Sequence, residues 1–109
     1  MAPSPPGKLR EPEARILALR IAAGFPKHEA ETSQIKDAVP KLRKLVAADL
    51  LPSKKRKNEC MWQQIVGNVV SHEKTSTSIF NQGWAERLQN VKGIRVLPAG
   101  LAYLKSLGY

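Results

Sequence analysis

At 109 residues the chain has room for one small domain around a single core, not for two. Eighteen Lys and Arg against nine Asp and Glu give a net charge of +9, and the pI is near 10.1, a balance that attracts polyanions. Cys60 is the only cysteine, which excludes an internal disulfide and a zinc site built on two thiolates, and no apolar run approaches the roughly 18 residues of a membrane span.

In chain order, residues 1–10 are Pro-rich without an apolar pattern and are expected to form a disordered leader, followed by one folded domain over 11–109. No secretory apolar core is found there, so a cytoplasmic, nucleoid-associated protein without a membrane partner is expected. Pro12 suits the first turn of a helix whose apolar side is Ile16, Leu17, Leu19 and Ile21, and Gly24 with Pro26 ends it. Thr32 or Ser33 can cap a second helix carrying Ile35 and Val39. Pro40 then ends it or begins a new turn, and Leu42, Leu45 and Val46 continue helically.

The most informative stretch runs from Lys54 to His72. Four cations, Lys54, Lys55, Arg56 and Lys57, lead into Asn58, expected as a helix cap, and Glu59, expected at the first helical position. Trp62, Ile65, Val66, Val69 and Val70 recur at the helical period and form one apolar stripe. At roughly 100° per residue the opposite face is centred on Gln64 and Ser71, flanked by Gly67 and Asn68, with Gln63 and His72 at its margins, and the helix should end near His72 or Glu73. A solvated helix ordinarily carries Lys and Glu there. Asn and Gln both donate and accept, as the N6 and N7 edge of adenine requires, and Ser bonds to several bases. Gly67 costs about 1 kcal/mol against Ala inside a helix, which fits a close approach by another surface or tight packing of a second helix.

Beyond this helix, Lys74-Thr75-Ser76-Thr77-Ser78 is hydroxyl-rich, and Ser78 can cap a single turn with Ile79 and Phe80 that Gly83 closes. Trp84 to Leu88 and Ile94 to Leu97 read as two strands joined by a turn, a hairpin with Lys92 and Arg95 at or near its tip. Pro98 opens a last helix with Leu101, Leu104 and Leu107 on one side and Gly108 at its stop. The expected fold class is mainly α with a small antiparallel β-hairpin, a winged helix-turn-helix. Core packing is the expected role of Trp62 and Trp84, and His28 receives none.

The run Gly83-Trp84-Ala85-Glu86-Arg87 followed by Gly93-Ile94-Arg95-Val96-Leu97-Pro98-Ala99-Gly100-Leu101-Ala102-Tyr103-Leu104 resembles the wing and terminal helix of bacterial winged helices, departing from them at Leu97 and Pro98, where a Thr and an acidic residue usually stand. Residues 48–53 with Arg56, Asn58, Glu59, Trp62, Gln64, Asn68, Ser71 and His72 are similar to the amino-terminal domains of Mrr-type restriction proteins and of related winged helices fused to HNH nucleases. The likeness spans roughly 12–107. It implies a double-stranded DNA reader from restriction and modification, a nuclease domain as partner in a longer protein, and recognition of N6-methyladenine by some relatives.

The residues then take these expected roles. Gln63, Gln64, Gly67, Asn68, Ser71 and His72 face base edges, while Lys54, Lys55, Arg56, Lys57, Lys74, Thr75, Ser76, Arg87, Lys92 and Arg95 meet phosphates. No nucleophile with its base, no paired carboxylates and no Gly-rich phosphate loop stand out, so neither catalysis nor a cofactor or metal is expected. The alternatives are a protein-interaction winged helix and a transcriptional regulator of the winged-helix type.

Overall fold

The computed structural model describes residues 7–55, 58–72 and 75–109. In chain order it contains α1 (Glu11–Ala23), a 3-10 turn (Pro26–His28), β1 (Glu29–Glu31), α2 (Thr32–Leu42), a second 3-10 turn (Ala47–Leu50), α3 (Met61–Val69), β2 (Ala85–Arg87), β3 (Gly93–Val96) and α4 (Pro98–Ser106). The fold is mainly helical, with one small antiparallel sheet in the order β1-β3-β2.

α1 is the hub. Ala14, Leu17, Ala18, Ile21 and Ala22 are buried at i, i+3, i+4, i+7 and i+8, and Leu19 buries a second face, so the helix touches α2, α3, α4 and β3. Pro12 in the first turn and Glu11 and Glu13 beside it match the vacant N–H groups and the dipole at that end. Ile35 and Val39 of α2, Val66 of α3, Ile79 and Ile94 complete the core, each fully buried.

The ordered domain begins upstream of the expected boundary at residue 11. Leu9 is fully buried and its N–H donates to Asp49 Oδ1 at 2.7 Å, so residues 7–10 belong to the fold rather than to a disordered leader. Residues 1–6 lie outside the described residues.

β1 was not foreseen. Only Ala30 of its three residues is buried, and the strand exists because it pairs with β3, Ala30 opposite Ile94 and Glu31 opposite Gly93. A Cβ on Gly93 would collide with the Ala30 carbonyl oxygen, so glycine permits that pairing. The hairpin of β2 and β3 forms as expected, with Glu86 opposite Arg95. α4 packs so closely that a Cβ on Gly100 would meet the Trp84 carbonyl oxygen, and the Trp84 ring stacks on Tyr103 with centroids 3.8 Å apart.

Four helix boundaries differ from expectation, the first being the end of α3, which comes at Val69 rather than near His72 or Glu73. α2 is capped from Glu31, whose N–H donates to Gln34 Oε1 at 2.8 Å, because the chain enters directly from β1 and Thr32 N–H is already bound to the Lys92 carbonyl. α2 runs through Pro40 to Leu42, since proline forfeits only one bond there and Arg43 N–H still reaches the Val39 carbonyl. Leu45 and Val46 do not continue it: Arg43 is extended, its side chain drawn into the interior, and the chain turns away. Asn58 is not the cap of α3. It adopts φ +65°, a left-handed turn that Asn tolerates, within a tongue closed by the Pro52–Cys60 bridge, and Cys60 takes the cap position.

Candidate nucleic-acid interface

α3 stands between two features that the connection before it and the hairpin after it supply. Its stripe is buried through Trp62, Val66 and Val69, with Val70 just beyond its end, while Ile65 is half-buried. Opposite, Gln63, Gln64 and Asn68 are half-buried, and Ser71 and His72, in the turn that follows α3, are exposed. The amide-and-hydroxyl face therefore remains accessible, although less freely than a bare surface helix.

Several of its groups are already engaged. Gln63 Oε1 accepts the Cys60 N–H at 2.7 Å, closing the first turn of α3. Gln64 Oε1 accepts the Ser53 hydroxyl, and Ser53 Oγ itself accepts the Lys55 N–H at 3.2 Å. Ser71 Oγ donates to the Gly67 carbonyl at 2.6 Å, the back-bond that a serine makes one turn earlier on a helix. Gly67, expected to face bases, is buried. It helps floor a groove of about 280 Å³ between α3 and the hairpin, with Thr32, Lys36, Ser71, Arg87 and Lys92 around it.

The cations divide into two groups. Lys54 and Lys55 are exposed on the tongue ahead of α3, which is held at its base by Ser53 N–H to the Glu59 carbonyl at 2.8 Å and Met61 N–H to the Leu51 carbonyl at 2.8 Å. Arg87 and Lys92 are exposed on the hairpin beside the groove. Thr75 and Ser76 are exposed too, their carbonyls accepting the side-chain amides of Asn81 and Gln82. The expected phosphate contacts Arg56, Lys57 and Lys74 lie outside the described residues.

Arg95 belongs to neither group, which corrects the expectation of a phosphate contact at the tip. It lies on the outer face of the sheet between two carboxylates: Nε and Nη2 donate to Glu29, and Nη1 donates to Glu86 at 2.6 Å. The hydrogen bond it donates to Glu29, then the one to Glu86, raises its pKa from the ordinary value. Two carboxylates around one guanidinium leave the spot with a net negative charge, which repels phosphate.

Two residues that the sequence did not single out position the site. Lys36 Nζ pairs with Glu59 Oε2 at 2.7 Å and so ties α2 to the residue before the α3 cap. Ser53 holds Gln64. The Lys36–Glu59 partnership spans 23 positions and leaves no periodic trace, whereas Ser53 borders the basic run and was the more visible of the two. Cys60 is a free, half-buried thiol. Among the described residues no helix is long and apolar enough to cross a membrane. Comparison with protein-family models, curated proteins and solved structures finds no match to this chain.

Proposed function

We propose that the chain is a winged helix-turn-helix module that binds double-stranded DNA, with α3 as the helix that enters the major groove and the β2–β3 hairpin as the wing. The observation that carries this reading is the accessible polar face of Gln64, Asn68 and Ser71, bordered by Lys54 and Lys55 at one end and by Arg87 and Lys92 at the other. A face without fixed charge between two positive margins suits bases between two phosphate strands. The order of elements, with the β2–β3 hairpin following α3 and joined by β1 in a sheet β1-β3-β2, supports the same reading.

In this arrangement Lys54 and Lys55 lie along one backbone, Lys92 and Arg87 along the next, and Asn68 lies on the side of α3 turned to base edges. No chemistry is assigned to the module itself. A nuclease partner, the restriction and modification setting and the reading of N6-methyladenine rest on the resemblance of residues 48–72 and 83–104 alone. Selection of bound duplexes from methylated and unmethylated random pools tests them.

Duplex binding followed by fluorescence anisotropy across a salt series tests the main reading. With about six phosphates neutralised, the logarithm of affinity falls with a slope of about −5 against the logarithm of salt. Absence of binding at low salt refutes it. Docking of a protein in place of DNA is favoured by a different observation, the exposure of Leu42, Leu50 and Leu51 at 47%, 55% and 57% around the α2–α3 connection. Replacing Leu50 and Leu51 by Ser leaves DNA affinity unchanged if that surface is separate.

A further inference from the structure

The geometry points to the groove between α2, α3 and the β2–β3 hairpin as a binding site for a phosphate group, held by Thr32 and Lys36 of α2 together with Lys92 before β3. As a contact with duplex backbone this rests on the proposed DNA reading; as an oxyanion site it stands on the groove alone.

Thr32 and Lys36 lie four apart on α2 and so share the face of that helix that lines the groove. The Thr32 N–H donates to the Lys92 carbonyl at 2.9 Å, which holds the start of α2 against the hairpin and sets Lys92 beside the same groove. Gly67 and Gly93 bring no side chain into it, and its charged lining residues, Lys36, Arg87 and Lys92, are all cations. A volume of about 280 Å³ falls below the roughly 300–1,000 Å³ of a small-molecule pocket, so the groove suits one charged group rather than a whole cofactor.

The donors facing this space outnumber the acceptors. The Lys36 side chain is only 17% exposed, and of the three hydrogens on its ammonium one goes to Glu59 Oε2 at 2.7 Å. The other two meet no acceptor among the described residues, and an ammonium drawn so far from water is costly until they do. Among the described residues the Thr32 hydroxyl and the Lys92 ammonium have no partner either. Ser71 adds no donor, because its hydrogen already lies on the Gly67 carbonyl. Donors arriving from a helix and from a hairpin call for an anion with oxygens on several sides. A carboxylate offers two in one plane, whereas a phosphate turns oxygens to both walls at once.

The site is tested by titrating the isotope-labelled chain with inorganic phosphate at constant ionic strength, with sodium chloride as the blank, and following amide chemical shifts. Shifts at Thr32, Ser71 and Gly93 are expected to saturate with a Kd of about 1–10 mM. Lys36→Gln weakens that binding by about 5- to 10-fold and Thr32→Val by about 3-fold. Glu59→Gln separates direct contact from the ion pair: it frees the Lys36 ammonium and tightens phosphate binding, whereas equal losses in Lys36→Gln and Glu59→Gln overturn the contact. A second arm moves one uncharged methylphosphonate along a bound duplex. At one position it weakens the wild type by about 5-fold and Lys36→Gln hardly at all, which assigns the site to the backbone. Saturation by phosphate without such a position keeps the site and assigns it to a phosphate-bearing ligand other than the duplex. Shifts no different from those in chloride, together with no Lys36-dependent position, overturn the site and leave duplex binding standing. Saturation by phosphate with no duplex retained overturns the DNA reading and leaves the site. The phosphate titration alters only the ligand, so it holds even where a variant folds poorly.

Discussion

Replacement of Arg43 by Met tests the clasp that anchors the connection into α3. The guanidinium is 8% exposed and makes a two-pronged contact with Glu13, Nε to Oε2 at 2.9 Å and Nη2 to Oε1 at 3.1 Å. It also donates to Asp49 Oδ2 at 3.2 Å, to the Lys44 carbonyl at 2.8 Å and to the Gly7 carbonyl. Asp49, only 1% exposed, receives the Leu9 N–H on Oδ1 and the Val46 N–H on Oδ2. Met keeps the aliphatic bulk and removes all five donations at once. The Asp49 carboxylate then stays buried with two amides and no counter-charge, a situation that costs about 3–5 kcal/mol for an enclosed pair. Glu13 is 45% exposed and recovers water, so the lower value of about 2–3 kcal/mol is appropriate here. For a domain of this size that lowers Tm by about 10–20 °C. The guanidinium pKa is raised, chiefly by the hydrogen bond it donates to Glu13, so its contribution is complete below the ordinary arginine range and is lost only above it. The deficit of the variant is therefore the same at pH 6 and pH 9. Thermal unfolding by circular dichroism, with a urea titration beside it, measures the loss. A deficit under about 1 kcal/mol refutes the reasoning, since that is the scale of an ordinary surface ion pair.

Leu9→Ala removes a fully buried side chain ahead of α1 and lowers stability by about 2–5 kcal/mol in the same urea assay; a neutral result would return residues 7–10 to the status of a leader. Lys92→Gln reduces the salt slope of DNA binding by about 1 and weakens random and preferred duplexes equally, while Arg95→Gln leaves the slope unchanged, because its two carboxylates already neutralise it. A shallower slope for Arg95→Gln contradicts the ion-pair assignment. Asn68→Ala weakens the preferred duplex by about 1–3 kcal/mol and leaves random DNA nearly unaffected; equal losses on both remove Asn68 from base reading.

The elements that announced themselves in the sequence are those whose own residues determine them. α1, α3 and the hairpin carry apolar stripes or turn residues within their own spans, and the opening proline of α4 did the same. β1 did not, because Glu29-Ala30-Glu31 has almost no strand character and is drawn extended by β3, more than 60 residues away. Asn58 misled for a related reason. A good cap residue beside a helix is read as the cap unless the Pro52–Cys60 bridge is known, and that bridge needs the whole tongue folded.

The same distinction governs the candidate site. Which side of α3 is apolar follows from residue spacing, and the polar side was placed correctly, apart from Gly67. What each polar group offers a partner does not follow from spacing, because it depends on what the fold has already consumed. Glu29 takes Arg95 out of the positive surface across 66 positions, while the Cys60 N–H and the Ser53 hydroxyl each engage one lone pair of the Gln63 and Gln64 carbonyl oxygens. A residue count therefore overstates the charge of the hairpin. Among the described residues the positive surface contracts to the tongue and to the groove side of the hairpin, so the proposed DNA reading assigns most of its salt dependence there to Lys54 and Lys55 on one side and Lys92 on the other.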